Sequence, residues 1–92
     1  MLKKYINENT VKKVSKNGYV KINGEEIGVS NLMTFLEENP SIAKANGYYP
    51  YKEVPYPEIN EGEYIEETYS LVNDEIIPTY TIHKYESGDI NV

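Results

Sequence analysis

Cysteine, arginine and tryptophan are absent from this 92-residue sequence, and histidine and phenylalanine occur once each. Without cysteine the chain has no disulfide, no thiolate nucleophile and no zinc–thiolate site. Without arginine it lacks the side chain that binds phosphate or guanine with two parallel hydrogen bonds. A chain this short buries only about 60% of its unfolded surface. The sequence therefore excludes a two-domain enzyme and predicts a thin stability margin unless the chain binds a partner.

The residues that could perform catalysis are also few. His83 is the sole imidazole, and no nucleophile or carboxylate is placed to form a catalytic pair with it. Five glutamates lie close together in sequence, but they lack the alternating acidic positions and central glycine of a calcium loop; they are Glu58, Glu61, Glu63, Glu66 and Glu67. The six glycines occur singly rather than in a phosphate-binding loop. We predict a non-enzymatic protein that uses no cofactor and no metal.

The first residues, 1–8, contain two lysines but no apolar run behind them. Such a segment is neither a signal peptide nor a membrane span. We expect a protein that is not exported by the Sec route and has no membrane partner.

Charge is unevenly distributed along the chain. Residues 1–24 contain six lysines and one glutamate, whereas residues 25–92 contain three lysines and fourteen acidic residues. Two interpretations are open: the basic segment folds back on the acidic part, or it meets the acidic face of a second copy. Lysines without arginine or an aromatic stacking motif, on a chain of net charge −6, argue against nucleic-acid binding.

Two Asn-Gly pairs, Asn17-Gly18 and Asn23-Gly24, separate short segments rich in β-forming residues. Asn-Gly is the preferred pair of two-residue hairpin turns, because both positions require positive φ. The pattern predicts a three-stranded meander within residues 1–29, with its strands at 10–14, 19–22 and 25–29.

At residue 30 the apolar spacing changes to that of a helix. Ser30 is the expected N-cap, and Asn39-Pro40 resembles a second N-cap followed by a proline in the first turn. Gly47 is suited to the position after the helix end. The sequence predicts two short helices separated by a kink within residues 30–46, with one face on the sheet: Leu32, Phe35, Leu36, Ile42 and Ala45.

Residues 48–62 combine prolines with tyrosines and end in Asn60-Glu61-Gly62. Proline lacks an N–H and fixes φ, so this segment is predicted to be extended, to stay out of any central strand and to end in a turn. Residues 63–72 and 75–85 flank Asn73-Asp74 and predict a long hairpin, in which Pro78 indicates an edge or a bulge. Residues 86–92 are predicted to be a flexible tail. The expected fold is a single small α+β domain, mostly antiparallel.

Tyrosine, with ten residues, is the most distinctive component of the sequence. Tyrosine is enriched at protein interfaces because it is amphipathic and loses little rotamer entropy on binding. The alternative is that the proline-rich segment only covers its own domain. The candidate protein interface consists of Tyr48, Tyr49, Tyr51, Tyr56 and Tyr64.

Four short segments follow one another between Asn39 and Tyr85. They are an Asn-Pro-x5-Asn-Gly-Tyr-x-Pro segment, a Glu-x-Pro-x-Pro-Glu segment at 53–58, a Tyr-Ile-x-Glu strand at 64–67 and a closing Thr-Tyr-x-Ile strand at 79–82. In this order they resemble small modules encoded in the tail regions of bacteriophages and prophages. The resemblance covers about half of the chain and implies a component of the tail fibre, the fibre-assembly machinery or the baseplate. It transfers no catalytic residue.

Two functions follow as expectations. In the first, the protein is a tail-associated structural or assembly component that binds other tail or baseplate subunits or further copies of itself. It would then occur in the host cytoplasm during assembly and later in the virion tail. In the second, it is a small acidic inhibitor of a host defence or nucleic-acid enzyme, similar to an anti-CRISPR protein, whose negative charge occupies a basic channel.

Overall fold

The structure, a computed structural model, describes residues 1–85. The tail predicted for 86–92 lies outside the described residues. The fold is α+β and mostly antiparallel, as the sequence predicts. Its elements follow the order β1 (Leu2–Asn7), β2 (Thr10–Lys13), β3 (Gly18–Ile22), β4 (Glu25–Val29), α1 (Leu32–Glu38), α2 (Pro40–Ala45), β5 (Tyr48–Pro50), β6 (Glu63–Val72) and β7 (Glu75–Lys84).

The N-terminal strands do not form the predicted three-stranded meander. Strand β1 pairs with both β2 and β5 in a sheet of order β2-β1-β5, whereas β3 and β4 form a separate hairpin. Asn23-Gly24 does turn that hairpin, with φ values of 52° and 82°. Asn17-Gly18 does not form a hairpin turn, because β2 and β3 do not pair. Gly18 instead begins β3, where a Cβ would lie 2.9 Å from Cδ2 of Leu32, so its small size permits close packing on the helix.

The two short helices and the kink between them confirm the prediction for 30–46. Asn39 is the N-cap of α2, Pro40 is its first residue, and Gly47 follows the helix with φ 85°. The expected cap of α1 is wrong by one residue, since Asn31, in the left-handed region at φ 51°, occupies the N-cap in place of Ser30.

The predicted helical face is correct for α1 and wrong at the end of α2. Leu32 and Leu36 are buried, but Ala45 is exposed and Ala43 is buried in its place. Asn39 departs from helical geometry at φ −131°, so the second helix does not continue the phase of the first.

The core lies between the helices and the inner faces of the two small sheets. Its fully buried members are Val20, Leu32, Leu36 and Ala43, with half-buried apolar residues such as Leu2 packed around them. Burial of each large aliphatic side chain contributes about 1.5–3 kcal/mol. A core of this size leaves the stability margin thin, as chain length alone implies.

Strands β6 and β7 form the predicted long hairpin. Their pairing is uninterrupted from Glu63–Lys84 to Val72–Glu75, and Asn73 and Asp74 both have positive φ, at 51° and 62°. Pro78 causes no bulge. It lies opposite Tyr69, whose N–H points out of the hairpin to the carbonyl of Glu8, 2.8 Å away. Residues 69 and 78 are thus a non-hydrogen-bonded pair, and proline there costs no ladder bond, as expected for an outer edge.

The described residues form an elongated body of 59 × 25 × 19 Å. The radius of gyration is 17.7 Å, against about 12 Å for a compact chain of this length. The turn of the β6–β7 hairpin lies against α2, where Nζ of Lys44 is 2.7 Å from Oδ2 of Asp74. The open end projects away from the core. We call the hairpin, together with the preceding segment 52–62 that runs along it, the arm.

Candidate protein interface

The five candidate tyrosines do not form one surface. Tyr48 and Tyr49 belong to β5, the edge strand of the N-terminal sheet that pairs with β1. The ring of Tyr48 packs on the core, and Nζ of Lys4 lies 5.6 Å from its centroid. Both tyrosines line a groove of about 490 Å³ between β5, the helices and the turn of the arm. Tyr48 therefore completes the core of its own domain.

Tyr51 connects the N-terminal sheet to the arm. It forms a parallel bridge with Ile76, and Nζ of Lys3 lies 3.8 Å from the centroid of its ring. Burial, together with a hydrogen bond to Tyr80, raises the pKa of Tyr51 well above its usual range. A cation over a half-buried ring marks a structural contact within the chain.

Tyr56 holds the proline-rich segment against the hairpin. Its ring lies 4.5 Å from that of Tyr80, and its hydroxyl donates to Oε1 of Glu67 at 2.7 Å. The other oxygen of the same carboxylate, Oε2, accepts the hydroxyl of Tyr69 at 2.7 Å. The bond to Glu67 raises the pKa of Tyr56, and burial followed by the same carboxylate raises the pKa of Tyr69 to about 12. Glu67 thus binds two tyrosines at once.

Tyr64 lies elsewhere, on the opposite face of the hairpin near its open end. Its ring stacks on His83 with centroids 5.2 Å apart and contacts the ring of Tyr85 at 4.9 Å. Tyr64 is 41% exposed and Tyr85 is 63% exposed. The side chain of Ile82, on the other face of the ribbon, is exposed as well. We call Tyr64, His83 and Tyr85, which are in contact on one face, the tip patch.

Sequence reasoning found one member of the tip patch, Tyr64, and missed two. The predicted two-residue turn at Asn73-Asp74 was sufficient to place Tyr64 opposite His83, because it determines the register of the whole hairpin. The same register places Glu67 opposite Tyr80. The contact of Tyr56 with this pair was not accessible, because nothing in the sequence indicates how an irregular segment lies on a sheet.

The geometry around His83 is that of a surface contact. Its Nε2 lies 2.7 Å from Oε1 of Glu66, and both side chains are substantially exposed. Among residues 1–85 there is no group of three or more acidic, histidine or cysteine side chains placed to hold a metal ion. Glu66 and Glu67 point to opposite faces of the ribbon, which separates two of the five clustered glutamates. The arrangement presents aromatic and apolar surface suited to protein contacts.

Comparisons with protein-family models, with curated proteins and with solved structures give no match. The resemblance of 39–85 to phage tail-region modules therefore stays a prediction. In the described part of the chain, no helix is both long and apolar enough to span a membrane.

Proposed function

We propose that this chain is a non-enzymatic component of a bacteriophage or prophage tail, structural or assembly-related, that binds another tail or baseplate subunit through the tip patch. The tail assignment rests on the sequence resemblance of 39–85. The assignment of the binding surface rests on the structure of the arm.

The exposed aromatic surface of the tip patch is the observation that supports this proposal most strongly. Tyr64 and Tyr85 are in contact with each other while retaining large exposed fractions. Paired aromatic side chains near the centre of an interface are typical binding hot spots. Their position at the open end of a projecting hairpin makes them accessible to a partner without rearrangement of the core.

The test is affinity capture of tagged protein from cells that are producing particles. The wild-type chain is expected to retain tail or baseplate subunits, and the double variant Tyr64→Ser/Tyr85→Ser to retain them at least about tenfold less. Tyr19→Ser is a matched control, because Tyr19 is 69% exposed but lies on the separate β3–β4 hairpin. Equal retention by the tip variant and the control would contradict the proposed surface.

A second function is favoured by the charge of the arm. Residues 52–85 contain eight acidic residues and two lysines. A narrow, negatively charged projection is suited to the basic channel of a nucleic-acid enzyme, where it would act as an inhibitor. Capture of a nuclease or another host defence enzyme, without tail subunits, would favour this function over the first.

A further inference from the structure

The basic N-terminal segment does not neutralise the acidic arm within one chain. Ion pairs in residues 1–85 are limited to Lys44–Asp74 and His83–Glu66, so none involves the six lysines of residues 1–24. Lys3 and Lys4 lie over tyrosine rings instead. The separation of charge along the sequence is therefore preserved in the fold.

Strand β2 offers an open basic edge. Tyr5, on β1, donates its N–H towards β5, to the carbonyl of Gly47. Tyr5 and Val11 are therefore a non-hydrogen-bonded pair, and the N–H and C=O of Val11 point away from β1, as do those of Lys13. In the described residues these groups form no backbone hydrogen bond. Across the β1–β2 ladder, Lys13 lies opposite Lys3 and Lys12 lies opposite Lys4, so each lysine of β2 faces a lysine of β1.

Strand β6 offers an open acidic edge. The N–H of Tyr69 points out of the hairpin, so those of Glu67 and Ile65 also point outwards by the alternation of the ladder. Among the described residues neither of these two forms a backbone bond on that side. Glu63, Glu66 and Glu67 lie along this edge. Within one chain β2 and β6 approach each other where Tyr69 donates its N–H to Glu8 and accepts the hydroxyl of Tyr5, and among residues 1–85 no backbone hydrogen bond joins the two strands there.

We infer that this chain binds a second copy of itself by pairing the β6 edge of one molecule with the β2 edge of the other. Unpaired strand edges bind extended partners through main-chain hydrogen bonds. Charge selects the partner. Pairing of two β2 edges would bring lysines together, and pairing of two β6 edges would bring glutamates together. Pairing of β6 with β2 places opposite charges across the new ladder.

This pairing would also relieve the opposed lysines within the N-terminal sheet, since like charges directly across a ladder are destabilising. The inference goes beyond the proposed tail function, because it depends on the two edges and not on the tip patch. A negative result for self-association therefore does not affect the proposed tail function, and a negative result for the tail function does not affect self-association.

The first test is the mass of the purified full chain in a dilution series, measured by sedimentation velocity. We expect a dimer or larger species at an ionic strength of about 0.05 M and dissociation at about 0.5 M, where screening is much stronger. A single monomeric species throughout the series at low salt would overturn the inference.

Charge reversal identifies the edges. Lys12→Glu and Glu66→Lys are each expected to weaken self-association by about tenfold, and an equal mixture of the two variants to recover it. Glu38→Lys, on the exposed side of α1, changes net charge as Glu66→Lys does and is expected to have no effect. A mixture that stays monomeric while wild type associates would contradict the pairing of these edges.

A proline pair tests the main-chain contact separately from charge. Ile65→Pro removes an N–H that points out of β6, and Ile82→Pro removes the equivalent N–H from β7 directly opposite. Pro78 shows that such a position accepts proline in this hairpin. Ile65→Pro is expected to abolish association and Ile82→Pro to leave it unchanged, with circular dichroism confirming that both fold. Association by folded Ile65→Pro as strong as that of wild type would refute strand addition at β6.

Discussion

Replacement of Glu67 by alanine tests how the arm is held together. Glu67 is half-buried and accepts two tyrosine hydroxyls, each at 2.7 Å, one from the proline-rich segment and one from its own strand. Glu67→Ala removes both acceptors and leaves the half-buried hydroxyl of Tyr69 without its partner. The segment containing Tyr56 also loses its side-chain hydrogen bond to the hairpin.

The expected cost follows from the exposure of the two bonds. A hydrogen bond to a charged group contributes about 1.5–3 kcal/mol, and we assign this range to the bond from Tyr69. Tyr56 is 63% exposed, so its bond contributes only about 0–1 kcal/mol. We expect a loss of about 2–3 kcal/mol in the free energy of unfolding, a substantial fraction of the total for a domain of this size.

Urea denaturation followed by tyrosine fluorescence measures this loss, since the chain contains no tryptophan. Glu66→Ala is the matched control, because Glu66 makes a single exposed contact, with His83, and its loss is expected to cost less than about 1 kcal/mol. Hydrogen exchange of the Lys52 N–H, which bonds to the carbonyl of Ile76 where the segment meets the hairpin, is expected to accelerate in Glu67→Ala only. An equal loss of unfolding free energy in the two variants would refute the role of Glu67 in holding the arm together.

Three further predictions concern stability. Leu36→Ala is expected to cost about 2–5 kcal/mol by thermal or urea unfolding, because Leu36 is fully buried, whereas Ala45→Ser on the exposed side of α2 is expected to cost less than about 0.5 kcal/mol. Asn46→Ala is expected to cost about 1–3 kcal/mol, because its amide accepts from the N–H and donates to the carbonyl of Lys21; a loss below about 0.5 kcal/mol would contradict this. The pKa of Tyr69 is raised to about 12 in the folded chain, so between pH 10 and pH 12 the unfolded chain binds fewer protons than the folded chain. The free energy of unfolding is therefore expected to fall over this range. The contribution of Tyr69 is fully present below pH 10; ultraviolet titration of tyrosinate that shows every tyrosine ionising near pH 10 would contradict the shift.

The local turns could be predicted from sequence because their residues carry the required conformations. Asn23-Gly24 and Asn73-Asp74 adopt positive φ and close two-residue hairpins. Asn39-Pro40 begins a helix for an equally local reason, since proline is suited to the first helical turn and disfavours a helical residue before it.

Long-range pairing was beyond the same reasoning. Strand β1 was not predicted, because Lys3 and Lys4 interrupt the apolar alternation of its sequence. The structure pairs β1 with β5 across more than forty residues of sequence and places both lysines over tyrosine rings. Lysine carries an apolar stem that can cover aromatic surface, so a simple apolar–polar pattern misreads such a strand.

The surroundings of the candidate tyrosines could be predicted only in part, and for a physical reason. Tyrosine serves both as core filler and as interface residue, and composition does not separate the two uses. The register of the hairpin distinguishes two environments, because it places Tyr64 beside His83 on one face and Tyr69 beside Glu67 on the other.

The protein composition of purified particles is the most direct test of whether this chain joins the tail through its tip patch. Particles released from producing cells that carry the gene are analysed by quantitative mass spectrometry, with wild-type protein, Tyr64→Ser/Tyr85→Ser or Tyr19→Ser as the expressed copy. We expect wild type and Tyr19→Ser to be recovered in the tail fraction or in tail-assembly intermediates, and Tyr64→Ser/Tyr85→Ser to be strongly depleted from both. Absence of the wild-type protein from particles and intermediates alike, or its recovery there irrespective of the tip substitutions, would contradict this expectation.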